Sequence, residues 1–152
     1  MAKINLDKVH AADYGNIETV VAPADLPNGS LVALGGFAEG EREAVTGVAP
    51  AADAELLLVA APEVKYNEID ELDYTTPAGE LVRAYHLTEG DLFQVETALF
   101  DATPAVGDIV TGSATHGYAA AGVDATDRTT FRVERVGRYL MADMVLLRVV
   151  TV

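Results

Sequence analysis

Apolar residues in this chain occur in short runs, and turn-forming residues separate the runs. The clearest boundaries contain Gly, Pro, Asn or Asp and lie at 26–29, 35–36, 76–79, 89–91 and 106–108. Runs of this length between such turns are typical of β-strands. The spacing predicts nine strands, at residues 17–22, 30–34, 44–48, 55–60, 81–87, 91–100, 108–113, 130–136 and 144–151.

Two of these segments alternate between apolar and polar residues. The alternation covers residues 93–99 and residues 131–134, and a period of two is typical of a strand with one face in water. The second alternation breaks at Arg135 and Val136, just before Gly137. We therefore expect a β-bulge or bend there.

Two other segments, 56–59 and 145–147, are apolar at every position. They are typical of strands that are buried on both faces, or whose second face meets another subunit.

Helical periodicity is weak along the whole sequence. Residues 64–74 favour an acidic loop with a helical turn, and residues 117–122 are too short for a helix that is stable alone.

Residues 1–17 show no clear period and contain a turn signal at Tyr14-Gly15-Asn16. They are expected to form an irregular arm that lies on the domain or on a neighbouring molecule. The sequence therefore predicts a mainly β protein with little helix. Residues 1–17 form the N-terminal arm, and residues 18–152 form a single barrel- or sandwich-like domain.

The charge of the chain excludes some classes of partner. The 24 acidic and 10 basic residues of its 152 give a net charge of −14, which repels nucleic-acid phosphates and anionic membranes.

The chain contains no Cys, so disulfides, thiolate zinc sites and Cys nucleophiles are excluded. With no apolar segment long enough to span a bilayer, we expect a soluble protein made in a cytoplasm.

Residues that commonly perform chemistry are scarce. Histidine occurs at positions 10, 86 and 116, and serine only at 30 and 113. The segment 112–117 brings Ser113 close to His116 in sequence, but Thr111 breaks the G-x-S-x-G pattern of a nucleophile elbow. A loop between strands is the favoured interpretation, and we expect no catalytic residue and no enzymatic activity.

No metal or other cofactor is expected. The histidines do not have the spacing of zinc ligands. The acidic segments 68–73 and 124–127 are rich in oxygen ligands but lack the alternating pattern and glycine of a calcium loop. Solvated acidic loops are the favoured interpretation, and calcium binding at either segment stays open.

Positive charge is concentrated in one part of the chain. Four arginines fall within eleven residues: Arg128, Arg132, Arg135 and Arg138. Local ion pairs with nearby carboxylates are the favoured interpretation. The alternative is a subunit interface, in which the acidic residues 51–100 of one copy meet this arginine-bearing strand of another and close a ring.

One stretch resembles a known family. Residues 31–36 (Leu-Val-Ala-Leu-Gly-Gly), 41–45 and 47–52 (Gly-Val-Ala-Pro-Ala-Ala) are similar to a segment of tailed-bacteriophage capsid decoration proteins, which are also called cement or head-stabilising proteins. The shared pattern is an apolar strand, a polar turn containing Gly, and then Ala-Val and Gly-Val. The resemblance covers a short part of the chain, together with its size and its lack of Cys.

The resemblance implies a homotrimer on the outer surface of the virion capsid, bound to the major capsid protein and without catalysis. The N-terminal arm could then add a strand to a shell protein or neighbouring subunit. Candidate interface residues are Lys3, Ile4, Leu6 and Val9 of the arm together with the four arginines. Alternatives are another virion protein of the tail or shell, and a small β-barrel hydrolase or ligand-binding protein that uses His86 or His116.

Overall fold

The computed structural model describes residues 4–13, 16–40, 44–60, 74–121, 126–139 and 142–152. In these residues the chain is mainly β, which confirms the predicted fold class. The strands are β1 (Ile4–Lys8), β2 (Ile17–Val21), β3 (Leu26–Pro27), β4 (Leu31–Phe37), β5 (Ala44–Val48), β6 (Leu57–Val59), β7 (Thr75–Thr76), β8 (Leu81–Tyr85), β9 (Leu92–Glu96), β10 (Ile109–Gly112), β11 (Tyr118–Ala120), β12 (Thr130–Tyr139) and β13 (Ala142–Thr151). A four-residue helix α1 (His10–Asp13) and a 3₁₀ turn (Thr97–Leu99) complete the described elements.

The strands form two main sheets. Strands β2-β5-β4-β6-β8 close into a barrel, and β1-β9-β13-β12-β10-β11 form a six-stranded sheet. The short strands β3 and β7 pair separately. Each of the nine predicted strand segments overlaps an observed strand, because alternation and turn chemistry are local properties of the chain.

Two groups of buried apolar side chains hold the sheets together. The smaller fills the barrel and includes Val20, Val32 and Val82. The larger includes Tyr118 and contains side chains from both sheets. Strand β6 contributes side chains to both groups: Leu57 and Val59 belong to the smaller group, and Leu58 belongs to the larger. The uniformly apolar segment 56–59 is thus buried on both faces, as the sequence predicts.

The N-terminal segment differs from its prediction. Residues 4–8 form β1, which pairs antiparallel with β9 at the edge of the six-stranded sheet. Ile4 and Val9 are 6% and 2% exposed and belong to the larger core. The expectation of an irregular arm is therefore wrong for this stretch. Residues 4–8 add their strand to the chain's own sheet.

The alternating segments also differ from expectation in one respect. In β9, Gln94 and Glu96 are buried as well as Phe93 and Val95, so the expected solvent-exposed face is absent from this strand. In β12 the register shifts between Val133 and Arg135. The bulge therefore lies one residue before the predicted position, and the strand continues past Gly137 to Tyr139.

Residues 117–122 do not form a helix where the structure describes them, since 118–120 are strand β11. The candidate at 64–74 and the acidic segment 68–73 lie outside the described residues, apart from Tyr74.

Candidate functional site

Along its second half, strand β12 pairs on one side only with the strands that the structure describes. Its first half pairs with β10 through Arg132 opposite Ile109 and Phe131 opposite Val110. Beyond that point β12 pairs with β13 as far as Tyr139, opposite Ala142. Within the described residues no strand pairs with the other side of residues 134–139. We call this stretch the β12 edge.

The bulge determines which backbone groups of the β12 edge face outward. The Val133 N–H donates to the Asp108 carbonyl at 2.9 Å, and the Val133 carbonyl accepts from Gly107 N–H at 2.8 Å. Val133 therefore directs its backbone groups away from β13. Because the bulge inserts Glu134 and shifts the alternation by one, Val136 and Arg138 are the next residues whose N–H and C=O groups point outward.

Positive side chains lie beside this edge on the outer face of the sheet. Arg132 stands opposite Arg148 on the neighbouring strand, and Arg135 stands opposite Leu146. Like charges that lie directly opposite repel each other, and here Glu134 lies between them. Its Oε1 accepts from Arg132 Nη2 at 2.7 Å and from Arg148 Nε at 3.1 Å.

These contacts define an arginine patch made of Arg132, Arg135, Arg148 and Glu134. The hydrogen bonds from Arg132 lower the pKa of Glu134 most strongly. Desolvation opposes them, and the hydrogen bond from Arg148 and the charges of both arginines add to the lowering, so the net direction is downward. The carboxylate thus stays ionised at neutral pH. Three arginines against one glutamate leave the patch positive in a chain whose net charge is −14.

The four arginines singled out in the sequence separate into two groups. Arg132 pairs with its sequence neighbour Glu134 at 2.7 Å, as the local interpretation predicts, whereas Arg128 pairs at 3.7 Å with Glu55, which is distant in the sequence. Arg135 and Arg138 are exposed along the β12 edge. Arg148 was not among the residues predicted from the sequence to form an interface. It could have been recognised there as the one charged residue within the apolar run 145–152.

The predicted interface residues of the arm are placed differently. Ile4 and Val9 are buried in the core of the same chain, and Leu6 packs against that core. Lys3 lies outside the described residues. As a correction to the prediction, Ile4 and Val9 are core residues of this fold, because β1 completes the chain's own sheet.

His86 lies between two carboxylates that are distant from it in sequence. Its Nδ1 is 2.9 Å from Glu55 Oε1, and its Nε2 is 3.1 Å from Glu18 Oε1. Burial lowers the pKa of His86, but the hydrogen bonds and negative charges of Glu55 and Glu18 outweigh it. The net result is a pKa raised above 6.5, which favours the imidazolium form.

The His86 cluster joins the barrel to the six-stranded sheet. Glu18 lies on β2 and His86 follows β8, whereas Glu55 also contacts Arg128 just before β12. The two carboxylates bind opposite nitrogens of one ring, so they do not converge on a common metal position. Both ring nitrogens of His86 are therefore engaged by carboxylates of the same chain. No cluster of three potential metal ligands occurs among the described residues.

Ser113 and His116 do not form a nucleophile–base pair. Ser113 Oγ lies 2.8 Å from Thr115 Oγ1, while His116 Nδ1 donates to the Leu31 carbonyl at 2.9 Å. The Leu31 N–H in turn donates to the His116 carbonyl at 2.7 Å. His116 adopts a φ of 67° and is buried. This loop therefore anchors the six-stranded sheet to β4 of the barrel.

Comparison of the chain with protein-family models, with curated proteins and with solved structures gives no match. None of the helical segments within the described ranges has the length and apolar character needed to cross a bilayer.

Proposed function

We propose that this chain is a non-enzymatic virion structural protein of the capsid-decoration type. It binds the outer surface of a bacteriophage capsid as an oligomer, with a trimer favoured, contacts the major capsid protein and stabilises the shell. The observation that carries the proposal is the β12 edge with its arginine patch. It combines a stretch beside which no described strand pairs with positive charge on an otherwise acidic molecule.

An open strand edge suits attachment to a protein lattice. An added strand binds mainly through backbone hydrogen bonds, so it needs no pocket. A trimer would present three such edges to a repeating shell surface. Contacts that are weak singly then act together, because the second and third form at a high effective concentration.

The positions of the reactive residues are compatible with this role. His86, His116 and Ser113 each contact other residues of the same chain and link its two sheets or hold a loop. In a protein that clamps a shell, polar side chains used in this way stabilise the scaffold that presents the edge. The acidic remainder of the surface would keep the free protein soluble.

The proposal is tested by native mass and by sedimentation with shells. Shells assembled from the major capsid protein of the same virus, without decoration, are incubated with the full-length chain and pelleted. We expect a trimer in solution, saturable co-sedimentation and a higher temperature of shell disassembly. Shells of an unrelated virus serve as the control.

A chain that stays monomeric and remains in the supernatant with its own shells would refute the proposal. The full chain is needed for this experiment. Deleting residues 1–17 would remove β1 and the core side chains of Ile4 and Val9. Loss of binding by such a truncated protein would then report unfolding rather than loss of a contact.

A further inference from the structure

We propose that the His86 cluster is a pH-dependent switch that opens on one side only. When the ring of His86 loses a proton, the contact with Glu18 is released and the contact with Glu55 is kept. The cluster lies at the end of the barrel where β2 begins and β8 ends. Its opening does not depend on the proposed function, and it concerns one named contact rather than the stability of the whole fold.

Both ring nitrogens of His86 must carry a proton to make the contacts in the structure. Nδ1 is 2.9 Å from Glu55 Oε1, and Nε2 is 3.1 Å from Glu18 Oε1. An ionised carboxylate only accepts hydrogen bonds, and a neutral imidazole has a single N–H. The arrangement therefore fits the imidazolium, which donates at both nitrogens. Once the ring is neutral, one of the two carboxylates faces a nitrogen lone pair instead of an N–H.

The surroundings of the two carboxylates differ, and this difference decides which contact is kept. Glu55 lies 3.7 Å from Arg128, which helps to hold it beside Nδ1. Among the described residues the Glu18 carboxylate has no partner other than His86. The Glu18 side chain is 28% exposed, so it can turn towards water. The neutral ring should therefore keep its proton on Nδ1, where Glu55 accepts it.

The charged groups around the ring come from three parts of the chain. Glu18 belongs to β2, Glu55 precedes β6, and Arg128 lies beside Glu55 on the segment before β12. Of the described charged groups, only Glu55 and Glu18 contribute to the pKa of His86. Burial lowers that pKa, but the hydrogen bonds and charges of the two carboxylates outweigh burial and raise it above 6.5. The cluster is therefore closed at acid pH and opens as the pH rises through the raised pKa.

Release of Glu18 should loosen the end of the β2–β8 ladder. Glu18 on β2 pairs with Ala84 on β8, and the His86 N–H donates to the Asn16 carbonyl at 3.1 Å. The contact between the Glu18 and His86 side chains ties the same two strand ends together. Without that contact the backbone hydrogen bond of His86 has less support, and it should open more often.

The first test is the tautomer of the neutral ring, read from the side-chain ¹⁵N chemical shifts of histidine in the ¹⁵N-labelled full chain. His86→Gln identifies the signals of His86, because these signals disappear. At pH 5.5 both ring nitrogens should have the shifts of protonated nitrogen. Above the midpoint of the titration Nδ1 should stay protonated and Nε2 should not, which is opposite to the tautomer that free histidine prefers.

Two alanine variants form a matched pair, because Glu18 and Glu55 have the same exposed fraction, 28%. Glu18→Ala should leave the neutral ring as the Nδ1–H tautomer, since the contact with Glu55 remains. Glu55→Ala should change it to the Nε2–H tautomer, since only Glu18 is then left to accept. Circular dichroism checks that both variants fold.

The second test is hydrogen exchange of the His86 amide, expressed as a protection factor so that the intrinsic effect of pH on exchange is removed. In wild type the protection should fall about two- to fivefold between pH 5.5 and pH 8.5, as expected for the loss of one partly exposed ion pair. Glu18→Ala should have the lower protection at both pH values. The amide of Val82, which pairs with Val20 inside the same ladder, is the internal reference and should not change.

Three results would overturn the proposal: a wild-type ring that becomes the Nε2–H tautomer, the same neutral tautomer in both folded alanine variants, or a His86 amide whose protection is unchanged while the ring titrates. A loss of protection at Val82 as large as that at His86 would indicate general loosening of the barrel and would also count against the switch. If an alanine variant does not fold, the tautomer and the amide protection of the wild type decide.

Discussion

Replacing His86 by Gln should make the stability of the protein less dependent on pH. In the folded chain Glu55 and Glu18 raise the pKa of His86 above 6.5. The protonated ring therefore stabilises the fold fully at pH values below its unfolded pKa, about 6.5. That contribution is lost as the pH rises through the higher folded pKa. Wild type should exceed His86→Gln in stability at pH 5.5, and the excess should shrink by pH 8.5.

The size of the effect follows from the exposure of the cluster. The side chains of His86, Glu18 and Glu55 are 23%, 28% and 28% exposed, so water and salt screen both ion pairs. Partly exposed pairs contribute roughly 0.2–1 kcal/mol each. Two pairs therefore predict an excess of about 0.5–2 kcal/mol at pH 5.5. At pH 8.5 the neutral ring can donate to only one carboxylate, and the excess should be smaller.

Urea unfolding followed by circular dichroism measures this difference at both pH values. Subtracting variant from wild type at each pH removes the titration of the other acidic residues, which is common to both chains. Glu18→Gln should give about half the effect, since it leaves the Glu55 contact in place. Glu39→Gln makes the same change in net charge at an exposed residue that does not contribute to the pKa shift of His86 and should not alter the pH dependence. An excess that is equal at both pH values, or larger at pH 8.5, would refute the reasoning.

Two further predictions concern buried contacts at and just before strand β11. Tyr118→Phe keeps the ring packed against Phe100 and Phe131 but removes a hydroxyl that donates to the Gly29 carbonyl at 2.8 Å. The buried carbonyl loses this partner, so urea unfolding should show a loss of about 1–3 kcal/mol, and no measurable loss would contradict the assigned bond. Gly117→Ala should cost at least about 2 kcal/mol, because its Cβ would collide with the Leu99 carbonyl oxygen. In the matched control, Gly36→Ala, the new Cβ meets no atom within 4 Å, and equal unfolding midpoints for the two alanine variants would show that the collision is absent.

Most strands were predictable because their signal is local. Val45 and Leu58 lie in short apolar runs between turns, and both are in strands of the barrel. Strand β1 was missed, although Ile4 and Leu6 alternate with polar residues, because five residues are too few to outweigh the turn signal that follows. The strands β3 and β7 have two residues each, which is too short for any period.

The candidate sites were predictable only in part. Clustering in the sequence drew attention to Arg132 and Arg135, and both lie beside the β12 edge. The role of Arg148 depends on its position opposite Arg132, which requires the strand register. The pairing of His86 with Glu18 and Glu55 depends on segments that are separated by 68 and 31 positions, and no local pattern connects them.

By itself the sequence determined that this protein is β, acidic, without cysteine chemistry and divided into short strands. These properties follow from composition and from the period of two, which each segment carries independently of the others. The tertiary structure alone decided that five strands close into a barrel, that β1 completes the second sheet, and that no described strand pairs with the outer side of residues 134–139. Those outcomes depend on which strands become neighbours, and strand pairing is a property of the whole chain rather than of any segment.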